Sequence, residues 1–105
     1  MYRFKSKADS DLLMMGPVGD QILRIVGREP APKGIIEAAA LPGAIRALEE
    51  AIAAAELARS DSRRNDSEED EERGAEAVGI AQRAWPMLEM MRRSLAEHAD
   101  IVWGV

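Results

Sequence analysis

The chain has 105 residues, a net charge of −5 and no cysteine. That is the length of one domain, 1–105, and it rules out disulfides, thiolate metal sites and cysteine nucleophiles. With 47% apolar and 31% charged residues it suits a globular chain, and its acidic balance argues against a general binder of nucleic acid or of an anionic membrane, since phosphates need a basic face.

Tyr2 to Lys7 alternates strictly, with Tyr2, Phe4 and Ser6 on one side and Arg3, Lys5 and Lys7 on the other. This predicts a half-buried strand. Its aromatics lie opposite its bases, so the pattern fits a core face and a guarded edge better than a platform for stacked nucleobases. The basic start resembles the head of a signal peptide, but Asp9 and Asp11 interrupt any apolar stretch behind it, and a cytoplasmic location is expected. Asp11 to Met15 suits either a strand or a helix. Gly16-Pro17 then offers a helix start, with Val18, Ile22, Ile25 and Val26 at amphipathic spacing and Gly27 as a C-terminal cap.

Arg28 to Lys33 holds two prolines and reads as a connector. Gly34 to Glu37 predicts a short strand. Leu41-Pro42 opens a second helix whose stripe is Ile45, Leu48, Ile52 and Ala55. Residues 60–76 hold eight acids and three bases, which is the whole net charge, and no Leu, Ile, Val, Met or aromatic residue. Nothing there offsets the entropy of ordering, so an acidic, flexible linker is expected. Val78 to Ala99 predicts the third helix, with Ala81, Ala84, Leu88, Met91 and Leu95 as its stripe. Pro86 lies inside it, which predicts a kink, or a restart at Pro86 itself. The closing Asp100–Val105 predicts a strand with Ile101, Trp103 and Val105 on one face, pairing with the first strand or with 34–37. Phe4 and Trp103 are expected in one buried layer.

The expected fold is therefore α+β, with three amphipathic helices packed on a small two- or three-stranded sheet that includes both termini. The chemical inventory is sparse. His98 is the only histidine and falls in a last helical turn, where a capping or surface role is expected. Ser6, Ser10 and Ser94 sit in no nucleophile motif. Asp9 and Asp11 share a face, and the pair reads as a turn or cap more readily than as an acid–base site. No catalytic, cofactor-binding or metal-ligating residues are assigned, no cofactor is expected, and an enzyme is not expected.

Two features lean toward interaction. Five of the six methionines lie in Met14, Met15, Met87, Met90 and Met91, and methionine suits deformable contacts. Trp85, Met87, Met90 and Trp103 form the candidate interaction surface. The expected function is a small non-enzymatic protein–protein interaction module, its partner an unknown protein or a second copy, with no nucleic acid and no membrane. The alternative is a small-molecule binder with an apolar pocket between helices and sheet.

Several blocks in order are similar to one family: Phe4-Lys5-Ser6-Lys7-Ala8, Met15-Gly16 with Ile22-Leu23 and Gly27, Leu41-Pro42 with Ala44-Ile45 and Leu48, Gln82-Arg83-Ala84 with Pro86 and Leu88, and Asp100-Ile101-Val102-Trp103. They resemble short proteobacterial proteins known as domain of unknown function number 1840, over nearly the whole chain. The resemblance implies a bacterial cytosolic protein and supplies no activity, cofactor or catalytic residue.

Overall fold

The computed structural model describes residues 1–64 and 68–105, those at 58–64, 68–78 and 80 as backbone alone. Strand β1 (Tyr2–Ser6) turns through Lys7-Ala8 into β2 (Asp9–Met14). Helix α1 (Gly16–Ile25), β3 (Gly34–Ile36), a short 3-10 turn (Ala38–Ala40), α2 (Leu41–Arg64), α3 (Glu68–Ala96) and β4 (Ile101–Trp103) follow. The sheet is antiparallel with four strands in the order β2-β1-β4-β3. One more strand is present than expected, because Asp9–Met14 pairs as a hairpin arm with Tyr2 opposite Met14 and Phe4 opposite Leu12. A hairpin partner is what decides this otherwise ambiguous stretch.

The closing strand pairs with both of its expected neighbours. Phe4 and Gly34 lie on either side of Trp103 in register, and Ile36 lies opposite Ile101. Phe4 and Trp103 are buried together, their rings edge to face at 5.7 Å between centroids. The indole crosses β3 directly over Gly34, where a Cβ would run into the ring, and its Nε1–H donates to the Ala31 carbonyl at 3.0 Å. Val105 departs from the expected face. It lies beyond the strand, after Gly104, and is exposed.

The helices end as their sequences dictate. Pro17 stands in the first turn of α1, where its missing N–H leaves no bond unmade. At the far end Gly27 takes a left-handed φ of 82°; its N–H donates to the Arg24 carbonyl and that of Arg28 to the Leu23 carbonyl. This paired closure absorbs two carbonyls that would otherwise be orphaned. Helix α3 closes the same way. His98 is left-handed at φ 54°, its N–H bonds to Leu95 and that of Ala99 to Ser94.

The helix layer is dominated by the α2–α3 hairpin. Ile45, Leu48 and Ile52 of α2 meet Ala84, Met87, Leu88 and Met91 of α3 in a core shared with Phe4, Ile36, Ile101 and Trp103, and Ala55 is buried as well. The molecule measures 45 × 25 × 21 Å, and its long axis matches the roughly 43 Å expected of a helix as long as α3. Both helices enter the acidic segment, since α2 runs to Arg64 and α3 begins at Glu68; residues 65–67 of the expected linker lie outside the described residues. Glu, Arg and Ala are good helix formers, and acids suit the first turn of α3.

The expected restart at Pro86 is corrected, because α3 continues through it. Ala84, Met87 and Leu88 are buried around the proline, while Pro86 itself faces solvent. Packing on one side of the helix outweighs a lost backbone bond on the other. The loss is still present in the folded state, so Pro86→Ala is expected to raise unfolding free energy by about 1–3 kcal/mol in urea denaturation. Lower stability for the alanine variant would contradict a continuous helix.

Candidate interaction surface

The four residues singled out from sequence do not form one surface. Met87 and Met90 lie in the core with 0% and 1% exposure, and Trp103 retains 3%. Helix α3 packs against α2 and also contacts α1 and β2, so its buried arc is wider than a single stripe and takes in both methionines. Trp103 is covered because β4 is an inner strand. Trp85 alone stays outside, 43% exposed, with the Arg92 guanidinium 6.0 Å from its ring centroid. Arg92 also bonds Glu49 of α2 at 3.1 Å, so this tryptophan is flanked by a cross-helix ion pair.

A different apolar surface appears on the sheet. Strand alternation sends Phe4, Met14, Ile36, Ile101 and Trp103 inward to the helices. It sends Arg3, Leu13, Val102 and Ile35 the other way, with Arg3 opposite Leu13 and Val102 opposite Ile35. Leu13 is 54% exposed and Ile35 41%. Lys5, opposite Val102, donates from Nζ to the Val105 carbonyl at 2.9 Å.

Several concavities flank the sheet. A groove of about 290 Å³ runs between β2, α1 and α3, lined by Leu12, Met14, Met15, Val18, Arg83 and Pro86 among others. A second cleft of about 440 Å³ brings Lys5, Ser6 and Lys7 to His98 and Asp100. Its charges are mixed and in part engaged, since Asp100 accepts from the Ala38 N–H at 2.8 Å. His98 is the exposed closing residue of α3, as its position in a last turn implied.

Polar contacts hold the hairpin to the helices. Ser94 is fully buried and shares a 2.7 Å hydroxyl hydrogen bond with Ser6. Sequence reasoning missed this pair, although Ser94 falls three residues after Met91 on the apolar arc, a polar group at a core position. Asp9 pairs with Arg93 at 3.1 Å and accepts from the Ser10 N–H, while Asp11 is exposed, so the two carboxylates do not act as one site. Among the described residues no three His, Asp or Glu side chains gather as metal ligands.

The Tyr2 hydroxyl donates to the Asp20 carboxylate, and its ring lies against Gly19 of α1, where a Cβ would clash. That hydrogen bond, reinforced by burial and by the negative charge of Asp20, raises the Tyr2 pKa above its usual value. The neutral phenol is the favoured form in the fold. Its contribution is fully present below about pH 10 and is lost as pH climbs through the raised value. Denaturation at pH 8–11 is expected to show a steeper alkaline loss for the parent than for Tyr2→Phe; parallel curves would contradict the assigned bond.

No curated protein and no solved structure matches the chain. The family described as Domain of unknown function (DUF1840) matches residues 1–103, spanning every strand and helix above, and the chain belongs to that family.

Proposed function

We propose that the chain is a small, non-enzymatic protein–protein interaction module of the bacterial cytoplasm, and that it associates with itself. The observation that carries this reading is the open face of the sheet. All three helices lie on one side, and the other side presents Leu13 and Ile35 with about half of each in water. Exposed aliphatic residues on a sheet face that no other element covers among the described residues favour association. The sparse catalytic inventory supports the non-enzymatic part: one histidine, no cysteine and no motif.

Small-molecule binding draws its support from the groove between β2, α1 and α3. At about 290 Å³ it falls just below the size of ligand pockets, roughly 300–1,000 Å³, and it is open to solvent. That favours a contact surface over an enclosing pocket. Sedimentation equilibrium at high micromolar concentration is expected to give a reversible dimer. A clean monomer there would overturn the self-association.

A further inference from the structure

We infer that two copies of the chain clasp each other, the acidic start of α3 in each lying across the open sheet face of the other. This rests on the self-association reading and names what meets the face.

The open face is poorly suited to meet its own equivalent. Arg3 and Lys5 point outward from β1, an inner strand, with Leu13 on one side and Val102 and Ile35 on the other. The only lysines of the chain are Lys5, Lys7 and Lys33. Lys7 is exposed in the turn that follows β1, and Lys33 is exposed directly before β3. Strand alternation leaves Asp11 as the one acid at an outward position of the strands. Two such faces stacked together would set bases against bases in a layer closed to water, which like charges oppose.

The complementary charge belongs to the same chain. Residues 68–76 hold six acids and one arginine, and their backbone is the first part of α3. That stretch stands clear of its own sheet. Arg93 and Ser94 bond Asp9 and Ser6 at one end of the hairpin, and Gln82, Arg83 and Pro86 border one groove with Met14 and Met15 at the other. Residues 68–81 therefore run on past the Met14 end of the sheet, by about 20 Å at about 1.5 Å per residue. The six residues of β2 span about the same length. Within one copy this arm lies in the helix layer and points away from the sheet, so it does not reach its own open face.

A second copy removes that obstacle. About a two-fold axis in the plane of the sheet, just past its Met14 end, the helix layer of each copy comes level with the open face of the other. The arm of each then covers the other's sheet, and the acidic run lies over Arg3 and Lys5. The contact is isologous and closes at two copies. Reach and charge together select a second copy as the occupant.

Sedimentation equilibrium of the full chain, with carbodiimide cross-linking of mixed isotope-labelled and unlabelled copies, tests this. Zero-length cross-links are expected to join Lys5 or Lys7 of one isotopic form to residues 68–72 of the other. Raising the salt concentration about tenfold should raise the dimer dissociation constant about fivefold. Arg3→Glu with Lys5→Glu should raise it about tenfold or more, and Glu69→Lys with Glu72→Lys should do the same. An equimolar mixture of these two double variants should dimerise within about threefold of the parent, because each arm again meets a face of opposite charge. A dimer indifferent to salt and to both reversals, or one whose cross-links from Lys5 and Lys7 stay within one isotopic form, overturns the clasp and leaves the self-association standing. A mixture that dimerises no better than either variant alone overturns the pairing of arm and face. A monomeric parent overturns both readings.

Discussion

The pairing of Phe4, Trp103 and Gly34 across the middle of the sheet is the contact on which the rest depends. Three residues of β4 fill the gap between the N-terminal hairpin and β3, segments far apart in sequence. Without β4 the hairpin has no lateral neighbour beyond its own arm, and an isolated two-stranded hairpin is marginal in water. Trp103 binds the three parts chemically as well. Its ring meets Phe4 on one side and lies over Gly34 on the other, and its N–H reaches the Ala31 carbonyl of the proline-rich connector. A side chain at position 34 would occupy the space of the indole.

The helical layer is ordered by the same core. Helix α3 tolerates a proline because the residues around it bury their side chains against α2 and the sheet, and the unmade backbone bond faces water. Polar contacts then fix the hairpin in place, through Ser6 to Ser94, Asp9 to Arg93 and Tyr2 to Asp20. All of these pull the helices to one side of the sheet. The other side is left with Leu13, Val102 and Ile35 beside Arg3, which is why the surface reading centres on the sheet and not on the helix methionines.

Much of this could be read from the residues. The alternation of Tyr2–Lys7, the proline starts of α1 and α2, the glycine closure at Gly27 and the stripe of α2 are local signals, and local signals do not need the tertiary fold. The partners of β4 were limited to two by composition, and the structure uses both. What escaped depended on tertiary context. Asp9–Met14 alternates poorly, and only its position across the Lys7-Ala8 turn makes it a strand. Met87 and Met90 fall outside the single stripe of Ala81, Ala84, Leu88, Met91 and Leu95, but α3 has neighbours on more than one side. Pro86 looked like a boundary because propensity is counted one residue at a time, while burial acts over a whole turn. The sheet's own open face went unnoticed, since it exists only once β2, β4 and β3 are placed beside β1.

The most direct test of the central pairing is removal of residues 101–105 followed by thermal unfolding. The deletion strips Ile101 and Trp103 from the core and separates β1 from β3. One large buried aromatic is worth about 3–5 kcal/mol, against a total of about 5–15 kcal/mol for a small domain. The truncated chain is predicted to show no cooperative transition and weak amide protection in the hairpin. A cooperative melt near the full-length temperature would contradict the role assigned to β4.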